Sequence, residues 1–332
     1  MNCSMKKQKI LNFLKALILP IAVYLLMRLC TGGRFGNATS MMLLLRQSVI
    51  PILIALGLGF ALMMGMWDFS SGAVVYAAAI LSTVLSQRTG MGAIGILIFA
   101  ILISVIMTTI TGLAYRLLKV PVIVVTCGMA MIYEGLPKFL GVPKAGIGLN
   151  EGWLFQAPWC FILMIIMCVA FYALFYVLPF GHNIMAICGD QKTARNVGIN
   201  IEKTKFLSFV VSGFFLGVAA TLQMSNSFTI YAVTNFGSVA TIFSAMMGIF
   251  VGMFLMRYCN FLFGIIIGTL TMQMLIFGLV SMGLNSTVRD IVQGVFLLAV
   301  LAFSSNQGKI DALRQKRRVI KLANERYQTQ HG

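Results

Sequence analysis

A polar stretch from Gly181 to Lys205 contains four basic and two acidic residues and separates two apolar segments of the chain. Within it, Asp190 is placed to cap a short helix over Asp190–Val197, because an aspartate oxygen accepts hydrogen bonds from the first free amides of a helix. Gly198 can end that helix, since glycine tolerates the left-handed conformation common after a helix C-terminus. A short charged helix in this setting is suited to docking, and we expect it to contact a separate protein subunit.

Polar side chains inside the apolar segments could contact a solute. Asp68 is the only carboxylate in the apolar run between residues 48 and 87. It either caps the following helix at a surface or lies buried at a functional bend. Glu134 lies close enough to the end of its own segment to reach the interface. Neutral hydroxyl and amide groups suit a sugar-like solute better than an ion, although such groups more often bond a neighbouring helix. The substrate-path candidates are Asp68, Ser70, Thr126, Ser244 and Gln273.

The chain carries no residue pattern typical of catalysis or metal binding. It has no GxxxxGK[ST] motif to cradle nucleotide phosphates, and its two histidines, His182 and His331, lie outside the apolar segments. Its seven cysteines are scattered without a CxxC pair, which indicates neither a disulfide framework nor a metal site. We therefore expect no catalytic residue, no metal and no cofactor in this chain.

Composition places the chain in a membrane. Of its 332 residues, 59% are hydrophobic and 10% are charged, and the mean hydropathy is +0.94. A soluble domain is about 45–50% apolar and about 25% charged. The net charge of +17 does not indicate nucleic-acid binding, because the basic residues gather at the ends of apolar segments rather than in a basic domain.

The apolar residues form ten segments, each close to the ~20 residues that cross a bilayer as a helix. Helices are expected because unpaired backbone groups cannot face lipid. The predicted fold class is therefore all-α, a polytopic membrane protein with about ten transmembrane helices. The predicted domains are one transmembrane domain over 1–308, including a loop at 181–205, and a basic tail over 309–332. The predicted spans are 11–31, 48–66, 69–87, 92–115, 120–140, 158–179, 205–224, 237–256, 261–282 and 288–305.

The distribution of basic residues predicts the orientation of these spans. With both termini in the cytoplasm, most of the 25 lysine and arginine residues fall on the inner side, including those of the polar stretch and the tail. Inner loops of membrane proteins are enriched in such residues. The sequence therefore predicts that the N-terminus, the C-terminus and the loop 181–205 are cytoplasmic.

Glycines recur at four-residue spacing in the later spans. Small residues at this spacing let helix backbones approach closely in lipid, where packing rather than the hydrophobic effect drives association. They either pack helices within one bundle or line the seam of a dimer. The predicted helix-packing glycines are Gly213, Gly217, Gly248, Gly252, Gly264 and Gly268.

Motifs dispersed along the chain resemble those of a known family. They are Asp68-Phe69-Ser70-Ser71-Gly72, Val120-Pro121 with Thr126–Met129, Phe180-Gly181-His182 with Ala186–Asp190, Ala194–Asn200, Ser212–Ala219, and Ile291–Gly294 with Leu297–Val300. In order and type they are similar to sugar-type ABC importer permeases. These are the ribose/xylose/autoinducer-2 group of the branched-chain-amino-acid-permease-like superfamily.

The resemblance implies a permease subunit of a bacterial inner-membrane importer for a monosaccharide or related small polar solute. It implies two ATPase subunits, which would bind ATP and magnesium, an extracytoplasmic solute-binding protein, and a second permease copy or paralogue. The residues that would contact an ATPase are Asp190, Ala194, Arg195 and Gly198.

Two alternatives to an ABC permease remain at this point. One is an ion-coupled secondary carrier, which would need paired charged residues near the middle of the membrane. The other is a diverged, non-transporting or regulatory half of a heterodimeric permease.

Overall fold

A computed structural model describes residues 2–33, 35–296, 298–299 and 302, and they form an almost entirely helical protein. A compact unit ends at Met282, and a second unit begins at Gly283. The helices of the first unit are α1 (Asn2–Cys30), α2 (Ala38–Met63), α3 (Ser70–Thr89), α4 (Gly92–Leu118), α5 (Val122–Phe139), α6 (Trp159–Tyr172), α7 (Pro179–Gly189), α8 (Gln191–Asn196), α9 (Ile201–Ser227), α10 (Val239–Leu255) and α11 (Phe261–Ser281). In the second unit, a helix over residues 286–296 (α12) follows Asn285, whose side-chain oxygen accepts a hydrogen bond from the Val288 amide at 3.0 Å.

Each predicted apolar segment coincides with helix where the structure describes it. Among the residues that the structure describes, seven helices are long and apolar enough to cross a membrane, and the part Ala16–Cys30 of α1 and the helix Val239–Leu255 are shorter apolar stretches. The last predicted span, 288–305, overlaps α12, and the predicted tail at 309–332 lies outside the described residues. The all-α membrane fold is confirmed, whereas the count of ten spans stays a prediction.

At two places the helices of the structure extend beyond the predicted apolar spans, for identifiable reasons. α2 begins at Ala38 rather than near residue 48, because Thr39, Ser40 and Arg46 are polar but continue the helix. The stretch 181–205, predicted as a loop with one short helix, is mostly helical, since it is divided among α7, α8 and the start of α9. Helix propensity is set by backbone and rotamer entropy, so polar residues do not by themselves end a helix.

The core of the first unit surrounds α2. Every residue from Ser48 to Met63 is buried, as is typical of a helix with no polar face. α2 packs against α6, α7, α9, α10 and α11. The ring of Phe60 in α2 contacts the rings of Phe171, Phe175, Phe180 and Phe215, with centroid distances of 4.7 to 6.2 Å. This aromatic cluster joins α2 to α6, α7 and α9.

The six glycines at four-residue spacing bring helices of one chain together. A Cβ atom at Gly217 in α9 would lie 2.5 Å from the Ile101 Cα in α4, and one at Gly213 would clash with Thr108. In the α10–α11 pair, a Cβ at Gly252 would lie 2.8 Å from the Gly264 carbonyl carbon, and one at Gly268 would clash with the Gly248 carbonyl oxygen. These contacts favour packing within one bundle over a dimer seam.

Helices α2–α4 and α9–α11 form two similar arrangements. In each set a long helix is followed by an irregular break, a shorter helix and a returning helix that packs on the shorter one. The two sets interleave, because α9 packs on α2, α3 and α4 while α10 packs on α2. A further link joins the segments that follow α5 and α9, where β1 (Lys144–Gly146) pairs antiparallel with β2 (Thr229–Tyr231).

Candidate coupling helix and intramembrane polar sites

The polar stretch is positioned by an abrupt turn at the end of α6. The last turn of that helix is a π-helical segment, Ala173–Val177, after which Leu178 is extended and Pro179 occupies the first turn of α7. Proline is well suited to that position because its missing amide would have had no partner there. A Cβ at Gly181 would clash with the Phe175 backbone, so glycine allows α7 to fold closely back on α6.

Asp190 is the N-cap residue of α8. Its carboxylate accepts hydrogen bonds from the Lys192 amide at 3.2 Å, from the Thr193 amide at 3.0 Å and from the Thr193 hydroxyl at 2.6 Å. These bonds, chiefly those from Thr193, hold the pKa of the Asp190 carboxyl below its usual range. A lowered pKa means that the cap is fully formed above the ordinary carboxyl pKa and is lost only as the pH falls through the lowered value.

Gly198 ends α8 in the left-handed conformation, with a φ of 90°. The Gly198 amide donates to the Arg195 carbonyl at 3.0 Å, and the Ile199 amide donates to the Ala194 carbonyl at 3.1 Å. This pair of bonds is the Schellman arrangement that satisfies the last carbonyls of a helix. A helix of six residues is therefore held at both ends by its own sequence.

One side chain of α8 faces inward and the others are exposed. Ala194 is buried, whereas Lys192 and Arg195 are exposed. Val197, directly after the helix, is 77% exposed, and sequence reasoning did not single it out. An exposed valine beside two basic side chains is a surface with both apolar and positive character. Such a surface can dock onto a partner that offers an apolar contact and carboxylates.

Asp68 was expected either to cap α3 or to lie buried at a bend, and in the structure it does both. Its carboxylate is 1% exposed. One oxygen accepts from the Ser70 amide at 2.9 Å and the Ser70 hydroxyl at 2.6 Å, and the other accepts from the Ser71 hydroxyl at 2.6 Å. Both oxygens therefore stabilise the start of α3. The Thr126 hydroxyl donates to the Trp67 carbonyl at 3.1 Å, which fixes the same break against α5.

Glu134 caps the start of the other short helix, α10, and is buried among protein groups, while its position relative to the membrane interface stays a prediction. Its carboxylate is 5% exposed and accepts from the Phe236 amide at 3.0 Å and the Ser238 amide at 2.9 Å. Asn235 and Phe236 are left-handed, with φ of 61° and 58°. A carboxylate at a helix N-terminus is favoured by the free amides and by the helix dipole. Glu134 thus holds a strained turn in place from a different helix, α5.

The first turns of α3 and α10 meet. A Cβ at Gly72 would clash with the Ser238 carbonyl oxygen, and the Tyr76 and Thr241 hydroxyl oxygens lie 3.2 Å apart. The Ser238 hydroxyl is buried and has no hydrogen-bond partner among the described residues. Two broken helices that begin side by side create the kind of polar centre at which transporters bind solutes.

The structure brings together some of the substrate-path candidates. Asp68, Ser70 and Thr126 share the break before α3. Ser244, whose hydroxyl donates to the Thr241 carbonyl at 3.0 Å, lies in the early part of α10. Gln273 belongs to α11, which packs on α1, α2 and α10. No group of three or more His, Cys, Asp and Glu side chains in the described part of the chain could hold a metal ion.

Comparison with known proteins gives a family match over most of the chain. The model of the family described as "Branched-chain amino acid transport system / permease component" matches residues 40–301. That range includes α8, both helix breaks and all six helix-packing glycines.

Curated relatives match at low identity and high coverage. The galactose/methyl galactoside import permease protein MglC of Haemophilus influenzae is 22% identical over 91% of this chain and 97% of its own length. The ribose import permease protein RbsC of Bacillus subtilis is 27% identical over 89% of this chain and 92% of its own length. The autoinducer 2 import system permease protein LsrC of Photorhabdus laumondii is 25% identical over 81% of this chain and 82% of its own length.

Proposed function

Because the chain belongs to the branched-chain amino acid transport system permease component family, we propose that it is the membrane subunit of an ATP-driven importer for a monosaccharide or a similar small polar solute. The similar proteins named above are import permeases for galactosides, ribose and autoinducer 2, and they come from bacteria. We place this chain in the bacterial cytoplasmic membrane. Its role is transport rather than catalysis, and ATP and magnesium would be bound by separate ATPase subunits.

The observation that carries the proposal is the geometry of α8. A six-residue helix capped at both ends presents Lys192, Arg195 and Val197 outward and buries Ala194 against the protein. A flexible loop of equal charge would deform when a partner moved against it, so little of that movement would reach the transmembrane helices. The capped helix instead moves as a body, which makes it suited to receive a displacement from an ATPase.

The connections of α8 support a route for that displacement into the membrane. On one side, Val197–Asn200 leads directly into α9, where Asn200 caps the helix through a bond from the Lys203 amide of 2.9 Å. On the other side, α7 carries Phe180 into contact with Phe60 at the centre of the core. A tilt of α8 would therefore move α9 and α2 relative to each other, and α9 packs on both α3 and α4.

The solute would pass where the first turns of α3 and α10 meet. Tyr76, Thr241 and Ser244 offer partly exposed hydroxyl groups there, and Phe69 and Phe243 contact each other nearby with ring centroids 6.2 Å apart. Hydroxyl groups and aromatic faces are suited to a neutral sugar. Asp68 and Glu134 have their carboxylate oxygens committed to backbone and serine donors, which disfavours an ion-coupled carrier that would use them as ion or proton sites.

The partners of the proposed importer are two ATPase subunits, an extracytoplasmic solute-binding protein and a second permease chain, identical or diverged. The ATPases would seat α8. The binding protein would deliver its solute at the opposite face, where β1 and β2 pair.

Two measurements test the proposal. Uptake of labelled ribose and galactose into vesicles that contain the full assembly should require ATP and should continue when ion gradients are collapsed. Uptake that follows the ion gradient without ATP would support a secondary carrier instead. An assembly that forms with its ATPase but hydrolyses ATP without uptake of any tested solute would support a non-transporting half.

The contact with the ATPase can be tested without knowing the solute. Replacing Arg195 and Val197 with alanine should reduce co-purification of the ATPase subunit by about tenfold or more, because both side chains face the proposed partner. The matched variant Lys138→Ala removes an exposed basic residue from the last turn of α5 and should leave co-purification unchanged. Equal retention of the ATPase by both variants would contradict the role of α8.

A further inference from the structure

A surface pocket of about 310 Å³ lies where three helix ends meet. Tyr115 and Arg116 belong to the last turn of α4, and Lys119 follows as its C-cap with a φ of 54°. Val120 leads into α5, and Glu202 lies in the first turn of α9. These five residues line the pocket. Its volume is at the lower end of the range for small-ligand sites, about 300–1,000 Å³.

The charges of the lining favour an anionic group. Arg116 and Lys119 supply two positive charges, and Glu202 supplies one negative charge. A guanidinium is planar and can donate two parallel hydrogen bonds to a phosphate, while a lysine ammonium acts as a compact point charge. The Glu202 carboxylate is an acceptor, so it suits a ligand that also carries a hydroxyl donor. A phosphodiester with a hydroxyl-bearing substituent meets both requirements.

The surroundings of the pocket are apolar and exposed. On α4, Leu113 lies about one turn before Arg116 and Leu117 directly follows it, and these leucines are 46% and 69% exposed. Ile123 and Val124 in the first turn of α5 are 46% and 62% exposed. Both helices are long and apolar enough to cross a membrane. A free phosphate ion makes no use of these side chains, whereas acyl chains attached to a bound phosphate would lie along them.

We propose that this pocket binds the headgroup of an anionic glycerophospholipid. Its phosphate would lie between Arg116 and Lys119, its headgroup hydroxyl would donate to Glu202, and its acyl chains would follow the exposed faces of α4 and α5. Basic pockets between membrane helices commonly hold anionic lipids in this manner. Glu202 is two residues beyond Asn200, the N-cap of α9, so the bound lipid would contact the first turn of the helix that follows α8. The binding itself does not depend on the proposed transport function.

The test measures lipid retention by the full-length chain in detergent, by native mass spectrometry. Titration with phosphatidylglycerol should give saturable binding to the natural sequence, and titration with phosphatidylcholine should give weaker binding. The double variant Arg116→Gln, Lys119→Gln should weaken phosphatidylglycerol binding about 25-fold, at about fivefold for each basic side chain. Its binding of phosphatidylcholine should not change, which also shows that the variant is folded.

Control variants make the result specific to the pocket. Lys138→Gln, Lys144→Gln removes the same charge from two exposed residues outside the lining and should keep full phosphatidylglycerol binding. Equal losses of phosphatidylglycerol binding in the two double variants would overturn the proposal, because the lipid would then be attracted by positive charge anywhere on the protein. Displacement of the lipid by millimolar inorganic phosphate would assign the pocket to a free ion.

A partner protein is the remaining competitor for the pocket. Unchanged lipid binding in the Arg116, Lys119 variant, together with reduced co-purification of the ATPase, would assign the surface to a protein contact and overturn the proposal. If the double variant fails to elute as a single species in size-exclusion chromatography, the single variant Lys119→Gln is tested for weaker phosphatidylglycerol binding instead. Lys119 is exposed, so its replacement tests binding with little effect on packing.

Discussion

At the scale of single residues, two positions decide whether α8 exists as a rigid body. Asp190 satisfies the first amides of the helix, and Gly198 satisfies its last carbonyls through a left-handed backbone. A helix this short has few internal hydrogen bonds to offset the free-energy cost of nucleating it. Its caps therefore contribute most of its local stability.

Replacing Gly198 should unfold α8 locally. Any side chain with a Cβ branch is strained at a φ of 90°, at a cost of roughly 1–2 kcal/mol. We expect Gly198→Val to increase hydrogen exchange at the amides of residues 194–199 and to reduce co-purification of the ATPase about 5- to 30-fold.

Gly189 provides the matched control for that substitution. A Cβ at Gly189 would meet no atom within 4 Å, and its φ is not positive, so Gly189→Ala should leave both measurements unchanged. Gly198→Asn should be intermediate, because asparagine tolerates the left-handed region. Normal exchange in Gly198→Val would show that the glycine is dispensable.

The residue-scale features that could be predicted are those formed by neighbours in the sequence. Asp190 and Gly198 act on residues within three or four positions, so their spacing alone indicates a capped helix. Glu134 acts on amides more than one hundred residues away, at Phe236 and Ser238. Nothing in the local sequence of α5 indicates that contact, because it arises only when α5 and the segment before α10 are packed together.

At the scale of elements, the two short helices α3 and α10 share one construction. Each begins at an irregular break, each has a buried carboxylate at its first amides, and the two first turns are in contact. The apolar segments of the sequence predicted the ends of both helices to within about two residues. The breaks could not be predicted in the same way, because their depth depends on which helices surround them.

Removing the Glu134 carboxylate should loosen the start of α10. Glu134→Ala leaves the Phe236 and Ser238 amides without their acceptor, at about 1–3 kcal/mol for the buried Ser238 amide and less for the partly buried Phe236 amide. Glu134→Gln keeps one acceptor oxygen and should lose about half as much stability. Thermal unfolding in detergent and hydrogen exchange over residues 232–238 measure the effect.

Glu151 is a suitable control for Glu134. Its carboxylate accepts one long hydrogen bond, of 3.4 Å, from the Gly148 amide. Glu151→Ala should therefore change the unfolding temperature by much less than Glu134→Ala. Equal effects of the two alanine variants would show that Glu134 does not hold the turn.

The close packing of α10 on α11 can also be tested by substitution. Alanine at Gly268 would place a methyl group against the Gly248 carbonyl, so Gly268→Ala should destabilise the protein by about 1–3 kcal/mol in chemical unfolding. Gly128→Ala in α5 meets no atom within 4 Å and should be neutral or slightly stabilising, as alanine is in a helix interior. The opposite ranking would contradict close packing at this pair.

At the scale of the whole molecule, the orientation predicted from basic residues places α8 in the cytoplasm, where ATP is available. Two native cysteines can test this. Cys188 is exposed in α7, two residues before Asp190, and Cys30 is exposed at the end of α1. In single-cysteine variants, a membrane-impermeant maleimide should label Cys30 in intact cells and Cys188 only in inside-out vesicles. The reverse pattern would place α8 outside and contradict the proposed coupling.

The burial of α2 has a consequence for how the protein is made. The described helices that pack most closely on α2 are α6, α7, α9, α10 and α11, which all follow it in the chain, and α9 begins at Ile201. A ribosome adding ~5–20 residues per second needs on the order of ten seconds to travel from α2 to α9. During that delay the nascent α2 must rest against lipid, and the bundle can close around it only after α9 has been inserted. Newly made chains that stop before residue 201 should therefore be removed by membrane proteases.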